Sequence, residues 1–197
     1  MEKFEFASKN LTAGQLNAIV KNLGGEEGAL RFLRGELVVQ PAIIPEPIPE
    51  LPLDFIIQVE RSVKPDYPDW MKKVMHPELE LTGTTEYDLQ KLELWLHNDQ
   101  KKGYAVGNTI YGYLEKGDAL TTCLNLQDLI AIQAKGIKVF CKLFANKAVF
   151  AWKSVVQSSR GNLRVPYLIE GGGEVVLNWY WLDYDWGSDS PALRFSK

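Results

Sequence analysis

Cysteine is scarce in this chain: Cys123 and Cys141 are the only two among 197 residues. No disulfide framework can therefore carry the fold. Both sit in apolar surroundings, where a thiol packs as a small, inert core residue. No apolar run approaches the roughly 20 residues that a membrane-spanning helix needs. The opening Met1-Glu2-Lys3-Phe4-Glu5-Phe6 is charged where a secretory signal needs an apolar stretch. These features predict a soluble, cytoplasmic protein with no membrane partner. The motifs of familiar catalysis are missing as well. There is no phosphate-cradling Gly-Lys-Ser/Thr loop, no dinucleotide GxGxxG, no HExxH and no GxSxG. The two histidines, His76 and His97, lack metal-ligand spacing. Pairing His97 with either cysteine as a nucleophile has no spacing to support it. The expectation is no cofactor, no metal and no catalytic residue.

What is present suffices for a folded core. Hydrophobic residues make up 46% and charged residues 24% of the chain, the balance of an ordinary globular domain. A net charge of -3 excludes a whole-chain polycation wrapped on nucleic acid. The charge is unevenly spread, however. Between Leu129 and Ile169 there is no acid, while Lys135, Lys138, Lys142, Lys147, Lys153, Arg160 and Arg164 accumulate.

Residues 11–34 read as two short helices. Thr12 with Gln15 three positions on fits a capping box, in which each side chain satisfies an orphaned backbone N–H. Gly24-Gly25 ends the first helix, and Glu26 to Leu33 forms the second. After a β-like Leu37-Val38-Val39, five prolines between Pro41 and Pro52 make an extended connector. The domain reading is a helical unit over 1–40, a connector over 41–53 and a main domain over 54–197. In that domain Phe55 to Val59 reads as a strand, and residues 65–80 as irregular with a helical turn over Trp70 to Met75. Leu92 to Leu96 alternates like a strand with one buried face, a helix being the alternative. Residues 108–116 and 126–135 read as helices, the second with Asn125 as N-cap and Gly136 as terminator. Lys147 to Gln157, Leu163 to Ile169 and Glu174 to Leu182, separated by turn clusters, form an antiparallel meander. The fold class is α+β: an antiparallel sheet backed by helices from 107–143, plus the N-terminal helical hairpin.

The segments Trp152 to Val156, Val165 to Leu168, Asn178 to Asp183 and Pro191 to Phe195, with Leu11 to Glu36, resemble a group of uncharacterised predicted bacterial proteins. The resemblance implies a bacterial origin and assigns no activity and no site residue.

Three features suggest binding. Lys135, Lys138, Lys142, Lys153, Arg160 and Arg164 would make a basic surface for nucleic acid or another anion, if they share a face. The plain alternative is a set of solvated faces. Asp183, Asp185, Trp186 and Asp189 interleave acids and an aromatic ring, as calcium loops and sugar-stacking surfaces do. The plain alternative is an acidic surface loop. The helical pair resembles a DNA-reading helix-turn-helix in its apolar spacing. Against that, Val20 is too large for the close helix contact, and Glu26-Glu27 would face phosphates. The reading favoured is a non-enzymatic interaction protein that docks a macromolecular partner, a protein, through its N-terminal helices or its aromatic β-tail. A nucleic-acid-binding protein using residues 135–164 comes second and an enzyme third.

Overall fold

The computed structural model describes residues 11–38 and 52–196, in a chain that divides into two units, 1–50 and 51–197. The expected connector lies outside the described residues as far as position 51, as does Val39. Leu37 and Val38 form no strand.

In the first unit, helix α1 (Ala13–Asn22) opens on the expected capping box. The Thr12 amide donates to Gln15 Oε1 at 2.9 Å and the Gln15 amide to Thr12 Oγ1 at 3.3 Å. Helix α2 (Gly25–Leu33) follows after Gly24, whose φ of +95° favours glycine. The helices meet at Gly28, where a Cβ would fall 1.7 Å from the Leu23 carbonyl oxygen. Leu16, Ile19, Leu30, Phe32 and Leu33 stay exposed.

The second unit carries β1 (Ile56–Gln58), β2 (Met71–Val74), β3 (Glu86–Asp88), β4 (Leu92–Trp95), α3 (Asn98–Lys102), β5 (Ala105–Val106) and α4 (Gly107–Lys116). Then come α5 (Leu126–Ala134), α6 (Ile137–Phe144), β6 (Val149–Phe150), β7 (Val156–Ser158), β8 (Leu163–Gly171), β9 (Glu174–Trp181), β10 (Asp185–Trp186) and β11 (Ala192–Phe195). The α+β class is thus observed, with a largely antiparallel sheet and helices beside it.

Strand β8 is the spine of a seven-stranded sheet. One edge pairs with β9 along its length, from Arg164 opposite Trp181 to Gly171 opposite Glu174. Gly172 and Gly173, both at positive φ, close that hairpin with a two-residue loop. The other edge of β8 is shared. β7 pairs near its start and β6 near its middle. From β7 the sheet continues to β2, and from β6 through β11 to β4. Alternate residues of β8 face opposite cores. Leu168 packs with Leu129, Ile132, Val139, Phe140 and Phe144 of α5 and α6. Val165 packs with Ile110, Tyr111 and Leu114 of α4, and with Trp152 and Trp186.

Two expectations change. Lys147 to Gln157 is not one strand, because a 3-10 turn at Trp152–Ser154 separates β6 from β7. There the chain leaves the sheet to meet the start of α5: the Lys153 amide donates to the Leu124 carbonyl at 3.2 Å. The Leu126 amide, one of the donors a helix start leaves unpaired, finds Ser154 Oγ at 2.8 Å. Residues 71–74 form strand β2 rather than a helical turn, since β7 offers them an edge. Gly136, at φ +82°, terminates α5 as expected, and α6, with Lys138 and Lys142, begins after it.

Asn125 caps α5 as expected, in a reciprocal box with Asp128. Asp128 also holds Arg61, with Nη2 at 2.5 Å from Oδ1, and accepts from the Tyr87 hydroxyl at 3.1 Å. The Arg61 Nη1 donates to Asn125 Oδ1 at 2.9 Å, and Asn125 Nδ2 donates to the Glu80 carbonyl at 2.7 Å. One helix start therefore ties down Arg61 and Glu80, which flank β2.

Removing one partner of this buried pair leaves an uncompensated charge. Asp128→Ala is expected to cost about 3–5 kcal/mol, read as a lower midpoint in urea unfolding. A loss below about 1 kcal/mol would show that Arg61 finds another partner.

Burial pushes the Cys123 thiol up to about 12, opposed by Lys153 and Arg194. Burial, then Glu115 and Glu78, push the Tyr111 phenol up to about 12. Both groups stay neutral in the folded state. Their stabilisation is complete below the unfolded values, about 8.5 for a thiol and about 10 for a phenol. It is lost as pH rises from there toward 12. The urea midpoint should stay flat from about pH 6 to 8 and fall steeply above about 9.

Candidate functional site

The turn between β7 and β8 is built by its glycine. The Gly161 amide donates to the Ser158 carbonyl at 2.9 Å and the Ser158 amide to the Asn162 carbonyl at 2.9 Å. Gly161 sits at φ +89°, which sets Ser159 and Arg160 on the loop. The Ser159 amide ties this loop to the Trp70 carbonyl at 3.2 Å, just before β2.

Arg164 lies on β8 opposite Trp181, so the two side chains share a face. Its guanidinium carbon is 3.5 Å from the centre of the Trp181 ring and 4.3 Å from that of Trp70. The cation is thus held between two indoles, each contact worth on the order of 0.5–2 kcal/mol. Trp70 in turn meets Trp179 edge-on at 5.5 Å, and Trp179 meets Tyr67 at 5.9 Å. Here aromatic rings cover the sheet face that α5 and α6 cover around Leu168.

Trp70, Ser158, Ser159, Arg160, Arg164 and Trp181 enclose a cavity of about 310 Å³. Ser158 is 4% exposed, and its hydroxyl has no hydrogen-bond partner. The buried Arg164 Nε is also unpartnered. Burial and then the Arg160 cation push the Arg164 guanidinium below its usual value, with Tyr184 opposing. An arginine nonetheless stays charged. A second cavity of about 430 Å³ lies on the other side of Arg160, lined also by Asn108, Asn162 and Asp183. There Asn108 Nδ2 donates to the Asp183 carboxylate at 2.8 Å.

Of the basic candidates, the structure brings Arg160 and Arg164 together. Lys135 forms an ion pair with Asp54 at 2.6 Å. Lys138 and Lys142 are exposed on α6, whose core side rests on the Leu168–Leu177 half of the sheet. Leu168 stands four residues along β8 from Arg164, about 13 Å. Lys153 is 2% exposed and belongs to the interior rather than to a basic surface. Its place in the turn against α5 accounts for this, and burial lowers its pKa, with Asp128 opposing.

Of the acidic-aromatic candidates, Asp183, Asp185 and Asp189 are exposed, while Trp186 is 1% exposed. Pairing of β10 with β5 turns Asp185 out and Trp186 in, against Phe150 at 4.2 Å. Among the described residues, no three His, Cys, Asp or Glu side chains gather so that they could hold a metal. Cys123 is wholly buried, its thiol directed to the Ala119 carbonyl at 3.6 Å. His97 caps α3 and packs on Trp95 and Tyr113.

Sequence reasoning missed Trp70, Ser158 and Trp181 as site residues. Trp70 is brought in by the pairing of β2 with β7, a contact between segments more than eighty residues apart. Ser158 looked like one more turn residue.

Nothing lies within 4 Å of a Cβ added at Gly161. Gly161→Ala is therefore expected to cost about 1–2 kcal/mol in urea unfolding through its left-handed backbone alone. Gly161→Asn, which tolerates that conformation, is expected to cost less. Equal losses would place the constraint elsewhere. No protein-family model matches the chain, and no curated protein or solved structure is significantly similar to it.

Proposed function

We propose that this is a non-enzymatic binding protein that docks an acidic segment of a protein partner on the Trp70–Arg164–Trp181 face. The observation that carries the reading is the arginine inventory. Arg31 and Arg34 pair with Glu36, Arg61 with Asp128 and Arg194 with Glu93. Among the described residues, no carboxylate forms an ion pair with Arg160 or Arg164. A guanidinium flanked by rigid aromatic rings is the usual anchor of a protein interface.

A protein partner is favoured over nucleic acid because the cations do not form one stripe. Lys135, Lys138 and Lys142 lie over the other half of the sheet and Lys153 is inside, which leaves two arginines at a recess of side-chain size. A polyanion gains most from cations that track its backbone. No described helix is long and apolar enough to cross a membrane.

The reading is checked by fluorescence anisotropy with a labelled Glu- and Asp-rich dodecapeptide, against duplex DNA and single-stranded RNA of equal charge. The peptide is expected to bind and to lose about tenfold in affinity, 1.4 kcal/mol, with Arg160→Glu. Preferential binding of either nucleic acid would replace the reading with the basic-surface one. Peptide binding unaffected by Arg160→Glu and Arg164→Met would move the docking face elsewhere.

A further inference from the structure

We propose that the recess between Arg160 and Arg164 is a phosphoryl-binding subsite, shaped for the dianion of a phosphomonoester. The inference rests on the reading above, that this face is a binding surface, and names the group it selects.

Three observations carry it. The first is charge. The Arg160 cation raises the cost of charging Arg164, and among the described residues neither arginine forms an ion pair with a carboxylate. A monoanion neutralises one of them; a phosphomonoester, at about -1.5 to -2 near pH 7, neutralises both. Arg194 supplies the contrast within this molecule. It too lies over an indole, 5.2 Å from the Trp95 ring, but its fork is taken by Glu93 at 2.7 and 3.0 Å.

The second is the geometry of the free donors. Trp70 and Trp181 hold the Arg164 guanidinium through their ring faces, and an aromatic ring face consumes none of its N–H donors. Its Nε is buried and unpartnered. A buried donor without an acceptor is a standing cost that an oxyanion removes. The fork also suits two oxygens of one phosphoryl group.

The third is Ser158. Its side chain lines the recess, is 96% buried on its 4% exposure, and has no partner in the protein. Neighbouring residues of a close-packed sheet normally satisfy a buried hydroxyl. Ser158 lines the same recess as the two arginines, and its unpartnered hydroxyl is the third donor this subsite offers a tetrahedral oxyanion. Asp183 does not compete for the space. It lines the cavity on the other side of Arg160, where Asn108 engages its carboxylate.

Two sources can present this group: a free phosphomonoester, or a phosphorylated side chain of the docked segment. The test uses calorimetry and the indole N–H resonances of Trp70 and Trp181, with inorganic phosphate and three dodecapeptides. The peptides are acidic and carry phosphoserine, glutamate or serine at one central position. The phosphoserine peptide is expected to bind at least tenfold tighter than the glutamate one, with both indole resonances shifting. Ser158→Ala and Arg160→Gln should each narrow that preference without moving the urea midpoint. Arg164→Met should abolish it.

Equal binding of the phosphoserine and glutamate peptides, lost with Arg164→Met, overturns the subsite while the docking reading stands. Inorganic phosphate binding that depends on Ser158 and Arg160, with no peptide binding, keeps the subsite, assigns a small phosphomonoester as its ligand and overturns the docking reading. Silence from phosphate and all three peptides overturns both.

Discussion

The start of α5 is the constraint on which the rest of the larger unit depends. Asn125 and Asp128 close a reciprocal cap, and the same two side chains hold Arg61 and, through Asn125 Nδ2, the Glu80 carbonyl. A helix start leaves backbone donors to be satisfied. This one satisfies some with its own cap and recruits Ser154 for another. That recruitment pulls residues 152–154 out of the sheet and divides what would be one strand into β6 and β7. The division gives the sheet its two branches, one through β11 to β4 and one to β2. The β2 branch places Trp70 against the loop of Ser159 and over Arg164. The site thus descends from a helix cap that sits elsewhere in the fold.

Local signals were legible. Thr12 with Gln15, Asn125 before an apolar face, and the glycines after Ile169 each specify their structure within a few residues. The elements that depend on distant partners were not. Trp70 to Met75 carries two adjacent lysines and no clear alternation, so only the edge of β7 makes it a strand. Lys147 to Gln157 has the β-branched and aromatic content of one strand. The contacts that break it come from Leu124 and Leu126, and its own composition holds no trace of them.

The same division runs through the candidate site. An acid-free run of sequence with seven cations pointed to a basic surface, and two of them, Arg160 and Arg164, do stand together. Charge counts carry no information on burial, however. Lys153 follows Trp152 into the core turn, and Trp186 alternates inward from Asp185 for the same reason that any strand alternates. Trp70 gave no signal because its role is conferred by a neighbour in space.

An arginine that serves the fold brings its carboxylate with it. Arg61 and Arg194 both do: Arg61 donates once to Asp128 and once to the capping Asn125, and Arg194 donates twice to Glu93. A half-buried guanidinium without such a partner needs another source of stabilisation, and for Arg164 the two indoles provide it through their ring faces. Ring faces and carboxylates stabilise a guanidinium in different ways. A carboxylate consumes the N–H donors, whereas an indole leaves them unspent and fixes the plane in which they point. A cation held by stacking is therefore ordered before any ligand arrives, so less ordering entropy remains to be lost on binding. Fold stability alone would be served as well by a glutamate opposite Arg164, at the place where Arg194 has Glu93. Trp181 stands there instead, and the Nε–H that a glutamate would have used has no partner in the protein.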